Sequence, residues 1–317
     1  MKCGVDTPGK RVFSFVSLAM VIILLFCAIA ASGQAEPKGG ILSAEDPAPD
    51  MLFMLLRIQA DVQGSLNDLN KDVENAAQNL SATDMEGVAA VGVLSKLLET
   101  NSNLAEAFTF SKDGKVVAVK CKGCFVGGDG ANISSRELLS MHTAENLSPS
   151  SREVIAHVLK TKIPDFTKEY QMVEGYNATA LAYPVFSPQG EFIGGIVATI
   201  VPDKLMNAIV APKLHFDIYN RSNITDFSFW VMHLDGLIAY DRDESQIGKY
   251  LFDDPLYQPF TSLLALGERM IAERAGHGSY SFQVTEGNKR VVTKEVYWTT
   301  CGLHGREWRL AVTRMIQ

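Results

Sequence analysis

The residues that could carry out chemistry are scattered through this sequence and form no recognisable catalytic set. No Gly-x-Ser-x-Gly nucleophile elbow and no phosphate-binding glycine loop occurs. The acidic residues between 241 and 254 miss the spacing of a calcium-binding loop and predict a solvated loop. The six histidines lie in six separate segments, at His142, His157, His215, His233, His277 and His304. We therefore predict that the protein is not an enzyme and holds no metal or cofactor.

Two cysteines are close enough in sequence to act together. Cys121 and Cys124 are separated by two residues, a spacing that gives a reactive dithiol at a helix N-terminus. Here they follow a predicted strand and precede a glycine-rich stretch at 127–130. No histidine follows the pair and no second pair occurs, which argues against haem attachment and a zinc site. A small disulfide or two idle thiols fit this context, and Cys301 is left over.

The N-terminus has the pattern of an export signal. Lys2, Lys10 and Arg11 precede an uncharged apolar run from Val12 to Gly33. The run reaches the length of about 20 residues that a membrane helix needs, and the small residues at its end would also suit signal-peptide cleavage. Basic residues before the run place the N-terminus inside. We expect an extracytoplasmic protein, held at the cell membrane by one segment or secreted after cleavage.

Acceptor sites for N-glycosylation agree with export. Composition alone would give about two Asn-x-Ser/Thr sites. Six of the 13 asparagines occupy such sites, at Asn79, Asn132, Asn146, Asn177, Asn220 and Asn223. We expect a glycoprotein, with coincidence as the alternative.

The formal net charge is −7 and the pI is about 5.4. That charge repels polyanions, so nucleic acid is not an expected partner.

The remaining chain begins with a linker and two helices. Residues 34–50 are rich in proline, glycine and acids and predict a linker after the segment 1–33. Residues 51–100 predict two helices, the second beginning at a capping box of Thr83 and Glu86. Apolar residues of the first helix recur about every 3.5 positions: Leu55, Ile58, Val62, Leu66, Leu69, Val73, Ala76 and Leu80. Such a stripe packs on its own domain, which we favour, or on a partner helix in a homodimer.

Strand patterns follow from residue 101, and they occur twice in the same order. A hairpin turning at Asp113-Gly114 precedes a helix capped by Ser150 and three strands. A second hairpin turns at Asp235-Gly236, at a constant offset of 122 residues. A helix over 254–274 and three more strands follow it. This internal duplication predicts an α+β fold. After the N-terminal helix we expect two tandem PAS-like modules, 101–212 and 213–317, each an antiparallel sheet flanked by helices.

This order of elements resembles the double Cache sensor domains of prokaryotic chemoreceptors and histidine kinases over about residues 51–317. The stretches that carry the resemblance are 110–114 (FSKDG), 183–190 (YPVFSPQG), 235–241 (DGLIAYD) and 305–310 (GREWRL). The resemblance implies an extracytoplasmic domain that binds a small ligand, usually in the module farther from the membrane, and signals through helix movement. Since the chain ends soon after the last strand, we expect a separate signalling partner and no transmitter domain of its own. The alternative is a structural or adhesive surface glycoprotein with non-binding modules.

A ligand would lie between the helix of a module and its sheet, held by a few polar groups. Amino-acid-binding members of the family combine tyrosine, arginine and tryptophan around an aspartate. The first module here contains no tryptophan, so the resemblance does not assign amino acids as the ligand. In the second module we expect a weaker pocket of Tyr240, Asp241 and Tyr257, with Trp230 and Trp308 in the core. The first-module candidates are Lys120, Arg152, Tyr170, Thr179 and Tyr183. The cationic side chains of Lys120 and Arg152 could bind a carboxylate of the ligand.

Overall fold

The computed structural model describes residues 49–83, 85–122, 147–171, 176–220, 227–284 and 290–316. The apolar run from 12 to 33 and the linker up to residue 48 lie outside these residues. Cys124, Asn132, Asn146 and Asn223 also lie outside them. None of the helices in the described ranges is both long and apolar enough to span a bilayer.

The described chain is α+β, as predicted. Its helices are α1 (Pro49–Leu80), α2 (Gly87–Thr100), α3 (Pro149–Thr161), α4 (Pro202–Asn220) and α5 (Thr261–Ala272). The strands that form the first sheet are β1 (Leu104–Ser111), β2 (Val116–Cys121), β3 (Asp165–Phe166), β4 (Tyr170–Gln171), β5 (Asn177–Phe186) and β6 (Phe192–Ile200). The second sheet contains β7 (Phe227–His233), β8 (Ile238–Asp241), β9 (Gly276–Val284), β10 (Arg290–Leu303) and β11 (Arg306–Met315).

The two antiparallel sheets repeat one topology. The first has the order β2-β1-β6-β5-β3, with β4 added beside β5, and the second has the order β8-β7-β11-β10-β9. Both first hairpins turn at a glycine with positive φ, Gly114 at 80° and Gly236 at 87°. The register shifts between Thr109 and Phe110 in one hairpin and between Val231 and Met232 in the other. These irregularities keep the 122-residue offset of the sequence repeat, which supports an internal duplication.

Helix α1 packs against both sheets along its apolar stripe. Leu55, Ile58, Val62, Leu66 and Val73 are fully buried in one cluster with residues of β5, β6, β10 and β11. The stripe therefore packs on its own domain, as we favoured. Two hydrogen bonds of Gln63 add to the apolar contact: its side chain donates to the carbonyl of Gly302 at 3.0 Å and accepts from the amide of Gly302 at 3.0 Å.

The starts of two helices differ from the prediction. Glu86 is the N-cap of α2 and makes no side-chain capping bond, so the capping box of Thr83 and Glu86 is wrong. The hydroxyl of Thr83 instead donates to the carbonyl of Leu80 at 3.0 Å, in the turn that ends α1. Helix α3 is capped by Ser148, whose hydroxyl accepts from the amide of Ser151 at 3.0 Å, and not by Ser150. Pro149 then occupies the first helical turn, where a missing N–H does no harm.

Helix α5 is shorter than the predicted 254–274, and α4 was not predicted. Residues 254–260 form successive turns, including a bond from the amide of Phe260 to the carbonyl of Tyr257 at 2.9 Å. Pro259 explains the break, because proline has no N–H and disfavours helical backbone at the residue before it. In α4, by contrast, a proline does not break the helix, since Pro212 lies inside it.

Candidate functional site

A pocket of about 330 Å³ opens beside the second sheet, under α5 and the turns that precede it. This volume lies within the range of small-molecule sites. Its walls come from all five strands of the sheet and from residues 243–263. The lining residues are Ser228, Trp230, Ile238, Asp241, Asp243, Gln246, Leu251, Leu256, Tyr257, Phe260, Leu263, Tyr280, Phe282, Lys294 and Thr313.

Strand alternation brings the aromatic residues of the pocket to one face. Trp230 on β7 lies opposite Asp241 on β8. On β9, Tyr280 and Phe282 are two positions apart and therefore point to the same side, and their rings are 6.0 Å apart at 30°. The walls of the pocket are thus mainly aromatic and aliphatic.

Asp241 is the carboxylate that this apolar wall surrounds. Its Oδ1 accepts a hydrogen bond from the amide of Asp243 at 2.8 Å. Burial, with a smaller contribution from the charge of Asp243, raises the pKa of Asp241 to about 6, although that backbone bond and Lys294 act in the other direction. Asp241 is therefore a partly desolvated acid whose charged form would gain from a cationic partner.

Hydrogen-bonding groups surround this carboxylate. The hydroxyl of Tyr257 donates to Oε1 of Gln246 at 2.5 Å, and Nε2 of Gln246 donates to Oδ2 of Asp243 at 3.0 Å. Burial and the nearby charge of Asp241 raise the pKa values of Tyr257 and Tyr280, so both phenols stay neutral. The buried hydroxyl of Thr313 has no hydrogen-bond partner in the part of the chain that the structure describes.

The arrangement suits binding rather than catalysis. A carboxylate enclosed by aromatic rings can hold a protonated amine by an ion pair, while the ring faces attract the same cation. Among the described residues no group of three or more histidine, cysteine, aspartate or glutamate side chains is placed to hold a metal ion.

The structure brings together two of the three predicted second-module residues. Asp241 and Tyr257 both line the pocket. Tyr240 lies on the other face of the sheet, where its hydroxyl donates to Oδ1 of Asn207 on α4 at 2.8 Å. Burial, with the charges of Asp203 and Asp241, raises the pKa of Tyr240 to about 12. Trp230 is buried in the core, as predicted, and also forms part of the pocket wall.

The first-module candidates are placed apart from one another. Tyr183 faces α1 and donates from its hydroxyl to Oδ1 of Asn70 at 2.9 Å. Thr179 is fully buried and donates to the carbonyl of Thr167 at 2.5 Å. Lys120 is half-buried on β2 and Arg152 is exposed on α3.

Tyr170 belongs to β4, and its side chain is not described. Because residues 123–146 and 172–175 are also outside the described chain, a first-module pocket stays a prediction.

Sequence reasoning missed several residues of the pocket. Tyr280 and Lys294 are opposite each other across β9 and β10, and Thr313 comes from the last strand. Alternation within each strand could have placed them on one face. Their meeting also depends on the register between strands, which the sequence pattern does not specify.

The remaining predicted sites have the following positions. Cys121 is disulfide-bonded, while Cys301 is a buried free thiol whose pKa is raised by burial. Asn79 is exposed on α1 and Asn177 is half-buried on β5. Asn220 ends α4, and its side chain is not described. Glycosylation of these residues stays a prediction.

Comparison with protein families and with solved structures agrees on the fold. The family model described as "HK/GC/Chemotaxis protein-like, sensor domain" matches residues 64–147 and 139–202. A comparison with curated proteins finds none that matches this sequence.

Solved structures cover most of the chain. An extracellular ligand binding receptor from Desulfohalobium retbaense aligns with a TM-score of 0.62 and 24% identity, over 84% of this chain and 41% of that one. The chain thus spans less than half of that receptor. The ligand-binding domain of the Pseudomonas aeruginosa amino acid chemoreceptor PctB, in complex with L-Gln, aligns with a TM-score of 0.54 and 16% identity, over 84% and 90% of the chains.

A third structure covers the same share of this chain. The periplasmic sensory domain of the Campylobacter jejuni chemoreceptor Tlp1 aligns with a TM-score of 0.57 and 12% identity, over 84% of this chain and 93% of that one. At these identities the likeness is one of fold. Together with the family match it confirms the resemblance to double Cache sensor domains.

Proposed function

We propose that this protein is an extracytoplasmic ligand-binding sensor whose second-sheet pocket takes a small organic molecule with a protonated amine. The amine pairs with the carboxylate of Asp241, and the apolar body of the ligand lies against Trp230, Tyr257 and Tyr280. We expect the ligand to bind without being chemically changed, because the described residues of the pocket offer binding groups and no activated nucleophile.

One observation supports this assignment most strongly. Asp241 is a half-buried carboxylate in a mainly aromatic and aliphatic pocket, and its partial burial raises its pKa to about 6. An acid in such surroundings destabilises its own charged form, and Lys294 in the same pocket offsets this effect only in part. A bound ammonium group would compensate further for the lost hydration. The side chain therefore favours a cation over a neutral or anionic ligand.

The fold that contains the pocket supports the proposed sensor role. Neighbouring structures with this fold are described as ligand-binding or sensory domains of receptors. We infer that the present chain likewise faces the outside of the cell and passes ligand binding to a separate signalling protein. Movement of α1, which packs against both sheets, would be the means of transfer.

Thermal unfolding of the purified full chain tests the amine site. Two probes of the same shape, 2-phenylethylamine and 2-phenylethanol, differ in the charged group alone. We expect the melting temperature to rise with the concentration of the amine and to rise less with the alcohol. In Asp241→Asn the affinity for the amine should fall about ten- to a hundredfold, the effect of one charge-assisted hydrogen bond in a buried site.

The matched control is Asp253→Asn, which removes an exposed carboxylate outside the pocket. Its affinity for the amine should stay within about threefold of the parent value, since surface charges contribute little. Equal binding of both probes, or full amine binding by Asp241→Asn, would contradict the proposal. A flat response to both probes would favour the structural or adhesive alternative.

A further inference from the structure

The aromatic rings of the second-sheet pocket come from three segments of the chain. Trp230 lies on β7, Tyr280 and Phe282 lie on β9, and Tyr257 and Phe260 belong to the turns before α5. The ring of Phe282 is inclined by 30° to that of Tyr280 and meets that of Phe260 at 78°, with the latter centroids 6.2 Å apart. The rings thus form a corner rather than a flat wall, and a corner of rings can contact a cation from more than one side.

Three of these rings lie near the carboxylate of Asp241. Trp230 is its cross-strand partner. Burial raises the pKa values of Tyr257 and Tyr280, and the charge of Asp241 adds to the effect on both phenols. Both tyrosines are therefore within electrostatic reach of this carboxylate. A cation that pairs with Asp241 would contact aromatic rings at the same time.

The polar groups around Asp241 already bond to one another. Tyr257 donates to Oε1 of Gln246, and Nε2 of Gln246 donates to Oδ2 of Asp243. The amide of Ser245 donates to Oδ1 of Asp243 at 3.1 Å, and Oδ1 of Asp241 accepts from the amide of Asp243. Among the described lining residues, Oδ2 of Asp241 is therefore the carboxylate oxygen that is left open.

One open carboxylate oxygen matches an ammonium group with one N–H. A primary ammonium has three N–H donors, and the two that are left over would exchange water for ring faces, which accept hydrogen bonds only weakly. Methyl groups in their place are apolar and lose little hydration against the rings, while the nitrogen keeps its positive charge. A quaternary ammonium makes the same ring contacts but has no N–H for the open oxygen.

Lys294 restricts the ligand cation to one end of the pocket. Its Nζ lies 5.3 Å from the centroid of the Phe282 ring, so the chain itself places a cation near one of the rings. Strands β7 and β11 separate β10, which carries Lys294, from β8, which carries Asp241. A second cation avoids the charge of Lys294 best at the end formed by Asp241 and Trp230.

We propose that the ligand of this pocket carries a tertiary, N-methylated ammonium group, which rests on the amine site of the proposed function. The single N–H of this group donates to Oδ2 of Asp241, and its methyl groups lie against the rings of Trp230, Tyr257 and Tyr280. The protein would thus distinguish amines by their degree of methylation, although all of them carry the same charge.

Calorimetric titration of the full chain at pH 7.5 tests this preference with three probes. They are 2-phenylethylamine, N,N-dimethyl-2-phenylethylamine and N,N,N-trimethyl-2-phenylethylammonium, which share one body and one charge and differ in the number of N–H donors. We expect the dimethylated amine to bind about tenfold more tightly than either of the others. A surplus donor without an acceptor and a missing charge-assisted bond each have about this effect.

Asp241→Asn tests the role of the open oxygen. The asparagine amide nitrogen cannot accept a hydrogen bond, so the tertiary amine loses its acceptor while the quaternary ion has none to lose. The affinities of this variant for the dimethylated and the trimethylated probe should therefore agree within about twofold. A tenfold preference for the dimethylated probe that persists in this variant would overturn the proposed bond.

Tyr280→Leu tests the role of the rings. It replaces a ring by an aliphatic side chain, so the preference for the dimethylated over the primary amine should fall severalfold. Tyr280→Phe keeps the ring and should keep the preference. If Tyr280→Leu does not fold, Phe282→Leu takes its place. The matched control is Phe186→Leu, which makes the same kind of change on the first sheet and should leave all three affinities unchanged.

Primary or quaternary binding as tight as that of the dimethylated amine would overturn this proposal and leave the amine site itself intact. The same holds for a full preference in the folded leucine variant of the pocket. Absence of binding by all three probes would instead overturn the amine site and this proposal together, so the two failures are distinguishable.

Discussion

At the scale of single residues, Asp241 lowers the stability of the folded chain when it is charged, and it is the residue that the proposed function pairs with the amine of the ligand. Its pKa rises from 3.8 to about 6 in the folded chain, so the folded state holds more protons than the unfolded state between these values. The free energy of unfolding must therefore fall as the pH rises through this interval. The loss is complete above the folded pKa and absent below the unfolded one.

Asp241→Asn should remove this pH dependence. The asparagine keeps the oxygen that accepts from the amide of Asp243 and does not titrate. Between pH 4 and pH 7.5, the free energy of unfolding of the variant should rise relative to that of the parent by up to about 3 kcal/mol. Urea unfolding of both proteins across this pH range measures the difference.

Asp253→Asn provides the reference for the same series, because that side chain is exposed. Its difference from the parent should not change with pH by more than about 0.5 kcal/mol. A gap between Asp241→Asn and the parent that is constant across the range would mean that Asp241 titrates normally in the folded protein.

The sequence indicated part of this site. Asp241 and Tyr257 belong to the polar set that the sequence predicts for the second module, and both line the pocket. Tyr240 belongs to the same predicted set but not to the pocket, because successive strand residues point to opposite faces. Lys294 and Tyr280 were missed because they meet across β9 and β10 through strand register, and a single sequence does not carry that register.

At the scale of elements, the apolar stripe of α1 is the largest predicted feature that the structure confirms. Leu66 should be critical, since it is fully buried in the cluster that joins α1 to both sheets. Leu66→Ala is expected to lower the free energy of unfolding by about 2–5 kcal/mol, through lost burial and a residual cavity. Denaturant unfolding measures this loss.

Leu56→Ala is the matched control on the same helix. Leu56 is 48% exposed, so its truncation should change stability by less than about 1 kcal/mol. Similar losses for Leu56 and Leu66 would show that both faces of α1 are covered in solution, as in a homodimer through the outer face.

Periodicity predicted the elements better than their ends. The stripe of α1 and the two Asp-Gly hairpins persist over many residues and therefore outweigh local exceptions. Helix starts depend on one or two residues, and Ser148 and Ser150 are equally good caps by type. Helix α4 was not predicted, and it spans the expected boundary between the modules at 212 and 213. It contains Pro212, a residue that usually ends a helix.

At the scale of the whole molecule, Asn70 on α1 joins the two sheets. Its Oδ1 accepts from the hydroxyl of Tyr183 on β5 at 2.9 Å and lies 2.7 Å from Nε2 of His304 in the β10–β11 turn. The rings of Tyr183 and His304 also meet edge to face at 5.8 Å. One side-chain oxygen thus links three elements that are distant in sequence.

Asn70→Ala should destabilise the protein by about 1–2 kcal/mol, because it leaves the buried hydroxyl of Tyr183 without its acceptor and removes the contact with the exposed His304. Tyr183→Phe removes one of the two bonds and should have a smaller effect of about 1 kcal/mol. Chemical denaturation of the two single variants and the double variant gives the coupling between them.

Asn67→Ala is the control one helical turn earlier, since the side chain of Asn67 is exposed and bonds to Gln63 within α1 alone. It should change stability by less than about 0.5 kcal/mol. Additive effects of the Asn70 and Tyr183 variants would show that the two residues do not form one unit in solution.

The length of α1 has a mechanical consequence. With 32 residues it measures about 48 Å. From the junction at Asn70 to Pro49 the helix extends about 32 Å, so a tilt of about 1° about this junction would displace its N-terminal end by about 0.5 Å. A small movement of the sheets on ligand binding would therefore give its largest displacement at the N-terminal end of α1.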